Sequence, residues 1–370
     1  MKVTTQAELD NALSVDGYSE IDICSPYGVW LTIIDNNGKY VEAHNSAMVT
    51  AFDSATVTAS GSATVTAYDS AMVRAYGSAM VTASDSAMVR AYDSATVRAY
   101  DSATVTASGS ATVRAYDSAT VTASGSATVT ASGSAMVTAS GSAMVRAYDS
   151  ATVRASGSAM VRASGSAMVR AYGSATVRAH GSATVRAYDS ATVTASGSAT
   201  VTAYDSATVT ASGSATVTAS QYVAVHLHSK RVTINGGVVI DITNLDRTQI
   251  ETWADYHGAE IIDGEVIVHK AVNDDMKSHR GFAYPIGETV ECPDWDAGDF
   301  CGNGLHLSPR PHHALAYLEE ATRFLRCAVP LDELTIIDGN SSGTPKLKAR
   351  VVRVIAEVDI DGNLITTESE

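Results

Sequence analysis

Cysteine is scarce in this chain. Cys24, Cys292, Cys301 and Cys327 are too few and too scattered to staple a fold by disulfides, so a reducing compartment is expected. No apolar run reaches 18 residues, and no membrane-spanning helix is expected. The N-terminal stretch MKVTTQAELDNALSVDG lacks the apolar core of a secretory signal, which predicts a cytoplasmic protein. Positive charge is also short: the formal net charge is −15, with 25 Lys and Arg against 40 Asp and Glu. Residues 46–221 are nearly neutral, with ten Arg and nine Asp, so the acidity lies in the flanks. Nucleic-acid binding would need a basic stripe and DNA mimicry would need acidic rows, and this balance argues against both.

What is abundant is repetition. Residues 46–221 divide into 22 octads of the form S-A-[T/M]-V-[T/R]-A-[Y/S]-[D/G] without an insertion or deletion. A fixed period of this kind marks a structural repeat. Within the octad, invariant and variable columns alternate with period two, the signature of a β-strand. The Ala, Val, Ala columns must face inward, because ten guanidinium groups occupy the fifth column and cannot be buried unpaired. Asp or Gly followed by Ser ends each octad and supplies a corner. A core of Ala and Val alone is thin, so two facing strands per coil fill it better than three. The expectation is a mainly β fold, a flattened β-solenoid of eight-residue strand-corner units with about 16 residues per coil. At roughly 4.8 Å per coil, eleven coils make about 50 Å. Seven of the ten Arg are followed two positions later by Tyr, so Arg98 with Tyr100 and Arg186 with Tyr188 are expected to stack as cation–π pairs.

Residues 1–45 read as an N-terminal cap. Thr5 and Glu8 form a capping box for a helix that Gly17 ends, and strands follow. Residues 222–240 keep the alternation with bulkier side chains and read as a closing cap. A small α+β domain is expected over residues 241–370. Its elements are a helix at 246–257 with Gly258 as C-cap, a hairpin turning at Asp263-Gly264, a helix at 311–326 and a long strand at 346–358.

The octads resemble the repeat of bacterial ice-nucleation proteins, the matching pieces being Ala75-Tyr76-Gly77-Ser78-Ala79 and the Thr-Val-Thr triplets. That resemblance implies an ice-binding or water-ordering surface. The motifs Tyr256-His257-Gly258, His269-Lys270-Ala271-Val272 and CGNGLHLSP at 301–309 resemble an uncharacterised domain of phage and bacterial proteins. This implies a phage-associated protein of the host cytoplasm or virion. His269-Lys270 on a strand with His306 and Ser308 on another also resembles mono-ADP-ribosyltransferases, which would make these four the candidate catalytic residues. The acidic residue that family places on a late strand is replaced here by Lys346-Leu347-Lys348-Ala349-Arg350.

Other candidate chemistry lies in the same domain. Lys346, Lys348 and Arg350 would share one strand face and could hold a phosphate, with Gly302 and Gly304 as the accompanying turn; charge protection of a strand edge is the simpler reading. Cys292, Cys301 and His306, with His312 or His313, are zinc-ligand types, but their spacing matches no compact zinc motif, and neither a metal nor a cofactor is expected. Cys327, in an apolar strand, reads as a core thiol. The expected function is structural: a solenoid presenting a C-terminal domain to a protein partner, with no role at nucleic acid or membrane. The alternatives are the transferase-like enzyme and the ice-binding solenoid.

Overall fold

The computed structural model describes residues 1–318, 320–337 and 344–365. The chain forms two compact units, Met1–Thr243 and Asn244–Glu370.

The first unit is a β-solenoid. Its strands alternate between a 15-stranded and a 14-stranded parallel sheet, so residues 16 apart pair in register, Val97 beside Val113 and Arg98 beside Arg114. Each repeat strand spans four residues, as in Thr128–Ala131. Ala127, Val129 and Ala131 are fully buried, and the same columns of both sheets join in one continuous core. Each buried Val contributes roughly 1.5–3 kcal/mol by leaving water. Within the repeat these columns hold only Ala and Val, so the core between the sheets is thin throughout.

The corners explain the eighth column. All its Asp and Gly residues adopt left-handed backbone, for example Asp189 at φ 54° and Gly173 at φ 61°. Gly takes this conformation at no cost and Asp tolerates it. The turn closes when the N–H of the next Ala returns to the seventh-column carbonyl, as Ala191 does to Tyr188 at 3.1 Å.

The seventh column lies beyond the four-residue strand, where the chain has begun to turn. The expected pairs Arg98–Tyr100 and Arg186–Tyr188 are accordingly replaced by ring ladders. Tyr100 stacks on Tyr116 at 5.0 Å, and Tyr188 lies between Tyr172 and Tyr204 at 5.0 and 5.1 Å. The coil repeat is itself the spacing that offset stacking prefers. A guanidinium does cover a ring between coils: Arg154 lies over Tyr172, 5.1 Å from its centroid.

Both expected caps are partly solenoid. Helix α1 (Gln6–Ser14) has the capping box on Thr5 and Glu8 and buries Leu9 and Ala12. It ends at Ser14, before Gly17, with Val15 in extended backbone, and Lys39 Nζ caps this end by donating to the carbonyls of Ala12, Leu13 and Val15 at 2.6, 2.9 and 2.7 Å. The strands Glu20–Ile23, Trp30–Ile33 and Tyr40–Ala43 already belong to the coils. At the other end Ala224–Leu227, Thr233–Asn235 and Val238–Asp241 extend the two sheets instead of covering them, and Val238, Val239 and Ile240 stay exposed.

In the second unit, α2 spans Ile250–His257 and ends at left-handed Gly258. It starts later than its apolar spacing predicts because the Asp246 carboxylate accepts from the backbone N–H and hydroxyl of Thr248, which holds a turn there. Strands β1 (Ile261–Ile262) and β2 (Glu265–Val272) form the expected hairpin, with positive φ at both Asp263 and Gly264. The remaining elements are β3 (Thr289–Glu291), β4 (Leu305–Leu307), α3 (Pro311–Leu315), β5 (Arg323–Pro330), β6 (Leu334–Ile336), β7 (Leu347–Ala349) and β8 (Val351–Val358). They build an antiparallel sheet β1-β2-β5-β8-β3 and a smaller one β4-β7-β6.

Two expectations change here. The helix expected over 311–326, of which residue 319 lies outside the described residues, stops at Leu315, because Arg323–Arg326 pairs with His269–Val272 in the middle of the large sheet. The long strand at 346–358 breaks at Arg350, β7 joining the small sheet and β8 the large one. Between them, Trp253, Leu325, Val329, Leu347 and Val352 form a core with bulk that the solenoid lacks.

Candidate functional site

Strand β2 is the spine of the second unit. Strand β1 pairs with it only as far as Val266, and further along the same strand Ser308 takes up the pairing: His269 N–H donates to the Ser308 carbonyl at 2.7 Å, and Ser308 N–H returns to the His269 carbonyl at 2.9 Å. This bridge draws β4 to β2. Beside it opens a cleft of about 490 Å³, lined from β2 by His269 and Lys270, from β4 by His306, from the residue just after β4 by Ser308, and from the adjoining loops by Arg280, Cys301 and Lys346. The four residues singled out as catalytic candidates therefore converge.

Their settings differ. His269 is buried, with Nδ1 3.1 Å from the Pro309 carbonyl; burial, reinforced by Arg326 and Arg310, pushes it down to about 4. Lys270 donates to the His306 carbonyl at 2.8 Å and lies over the Tyr284 ring, and burial lowers its amine to about 8. His306 is also pushed down to about 4, first by burial and then by the charges of Lys270, Lys346 and Arg280. Its ring is therefore neutral at pH 7.

The suggested phosphate row is dispersed. Lys346 lies over Tyr317 and donates to Cys301 Sγ at 3.4 Å, facing the cleft. Lys348 is fully buried, donating to the Phe300 carbonyl at 3.2 Å and lying against Trp295 and Phe300. Arg350 pairs with Glu333 at 3.2 Å and Glu291 at 3.7 Å. The break in the expected strand sends each cation to a different place. Gly304 lines the cleft, and a Cβ there would meet Lys348 Cβ at 3.0 Å. Gly302 packs on Phe300, where a Cβ would be 2.9 Å from the ring.

The zinc-type residues also separate. Cys301 Sγ lies 4.0 Å from His306 Nε2, but the buried Cys292 thiol turns to Asp294 at 3.2 Å. His312 and His313 lie on α3, their rings 4.1 Å apart. No group of three or more metal-type side chains gathers among the described residues. Cys327 is fully buried, and burial pushes its thiol up to about 12.

The model of a domain of unknown function, DUF7666, matches residues 266–366. The matched stretch supplies β3 to β8, nearly all of β2 and every residue that lines the cleft. No curated protein and no solved structure matches the chain.

Sequence reasoning missed Arg280 and Asp294, which also line the site. Both sit on loops without a motif, and only the fold carries them to the cleft. Asp294 is the one carboxylate among the described lining residues, set against the cations Lys270, Arg280 and Lys346. In a chain of net charge −15, this inversion of sign is the main chemical feature of the site.

Proposed function

We propose that this is a structural and interaction protein in which a β-solenoid carries a binding domain, and that the DUF7666 stretch takes an anionic group, a phosphate or carboxylate of a ligand or protein partner, into its cleft. The observation that carries the reading is the charge of that cleft: three cations face one carboxylate in an acidic protein. A cleft lined with one sign of charge focuses the field and concentrates the opposite ion. The motif resemblance to phage and bacterial proteins supports a phage-associated setting, in the host cytoplasm or virion, without a role at nucleic acid or membrane. Calorimetric titration of the full chain with inorganic pyrophosphate tests the cleft. Binding that weakens in Lys346→Gln and Arg280→Gln supports the reading, and no heat at millimolar pyrophosphate sinks it.

A second reading, an ADP-ribosyltransferase-like enzyme, is favoured by one observation, the convergence of His269, Lys270, His306 and Ser308. Against it, β7 offers Lys348 where that chemistry wants a carboxylate to stabilise developing positive charge. Transfer from labelled NAD that is lost in His306→Ala would favour this reading over the first.

Ice binding ranks lower. The Thr-rich end of the repeat is divided between sheets, Thr192 pairing with Thr208 and Thr200 with Thr216. Arg and Met interrupt the rows elsewhere. The expected outcome is no thermal hysteresis at micromolar protein.

A further inference from the structure

Cys301 stands apart from the other three thiols. Cys292 and Cys327 are buried and Cys24 is partly covered, whereas Cys301 is exposed and lines the basic cleft. Lys346 Nζ donates to its sulfur at 3.4 Å, and His306 Nε2 is 4.0 Å away. Arg280 and Lys270 line the same cleft. A reagent that reaches this sulfur must enter a field that attracts anions and repels cations.

We propose that Cys301 is a thiol-modification site selective for small anionic disulfides, with Lys346, Arg280 and Lys270 supplying the selectivity. The inference rests on the same basic field that carries the reading of the cleft as an anion site. The step is thiol–disulfide exchange: Cys301 Sγ attacks one sulfur of the disulfide, a new S–S bond forms and the original one breaks. The leaving sulfur departs with the electron pair and takes up the proton that Cys301 gives up. Cys301 is oxidised and the leaving thiol is reduced, so no other reactant is needed.

The test treats the full chain separately with oxidised glutathione, an anionic disulfide, and cystamine, a cationic one. Mixed disulfides are mapped at each cysteine by mass spectrometry, and the urea-denatured chain supplies the intrinsic reactivity ratio. The expected result is that Cys301 is modified ahead of Cys24, and that its preference for glutathione exceeds the denatured ratio by about tenfold, the lower end of electrostatic steering. Lys346→Glu should invert that preference, and Arg280→Glu provides a second reversal if the first variant misfolds. Equal preference in folded and denatured chain, or Cys24 reacting first, overturns the proposal. Pyrophosphate binding without a preference at Cys301 overturns this inference and leaves the anion site standing. A preference without pyrophosphate binding upholds the inference, which needs only the basic field around Cys301, and overturns the reading of the cleft as a site that holds an anionic ligand.

Discussion

The carboxylate of Asp189 accepts a hydrogen bond from the backbone N–H of Gly173, 2.9 Å away and one coil earlier. The same contact joins Asp93 to Gly77 at 3.1 Å and Asp149 to Gly133 at 3.2 Å, so corner Asp residues clamp neighbouring coils. Asp189→Ala should cost about 1–3 kcal/mol, combining a lost charge-assisted bond with a side chain ill-suited to left-handed backbone. Asp189→Gly should cost less, because only the bond is lost. Thermal melting orders the variants, and faster hydrogen exchange at the Gly173 amide locates the effect.

The core tolerates even less. Val129 is fully buried between the sheets, so Val129→Asp puts an unpaired carboxylate in a dry interior at a cost of several kcal/mol. Loss of β-type circular dichroism over several coils is the expected outcome. Thr130→Arg, on the outward face, should melt within a few degrees of the parent.

Arginine rows load the outward faces. Arg170 pairs in register with Arg154 on one side and Arg186 on the other, while Arg162 lies between Arg146 and Arg178. Like charges one coil apart repel by up to about 1 kcal/mol per contact in water. Arg170→Thr should therefore raise the melting temperature of the solenoid at low salt, and the gain should shrink at 0.5 M salt as screening removes the repulsion. A destabilised Arg170→Thr would show that the Arg stems contribute more packing than their heads cost.

Acid should attack the second unit. His257, His269 and His306 are each depressed to about 4 by burial, from 6.5. Between pH 6.5 and 4 the unfolded chain binds more protons at these sites, so their contribution is complete above 6.5 and is lost as pH falls through 4. Lys270 acts over a different window: its amine is lowered to about 8 from 10.5, so its own contribution grows as pH rises from 8 to 10.5, while the Cys327 thiol, raised by burial from 9.0 to about 12, works against it above pH 9. Hydrogen exchange of the full chain at pH 7 and 4.5 should show protection lost from β2 and β4 in acid while the repeat strands keep theirs.

The solenoid was legible because each octad repeats the physics of the last. Alternation assigned Ala127, Val129 and Ala131 to the core, and the turn residues placed the corners. Contacts between coils were less legible. Tyr100 meets Tyr116 only because the chain returns after 16 residues, and reading Tyr100 against its own strand's Arg98 overlooked the ring one coil away. In the second unit, local spacing suggested a helix through Arg323–Arg326, and pairing with β2 overrode it. His269 and Ser308, or Cys301 and Lys346, are separated by some forty residues that include strands of both sheets, and no local pattern could bring them together. Their residue types were visible; their meeting depends on a bridge between two sheets.

Strict alternation of octads between two sheets gives the solenoid a parity. Removing 16 residues deletes one coil and returns every later octad to its own sheet, so ring ladders and arginine rows are shortened and otherwise kept. Removing eight between Tyr172 and Tyr188 transfers every later octad to the opposite sheet: the core columns still match, but Tyr188 would no longer follow Tyr172, and the row from Arg154 to Arg186 would be split. Length can therefore be adjusted in whole coils by recombination within the repeat, whereas a half-coil change preserves the fold and scrambles the pattern written on its surface.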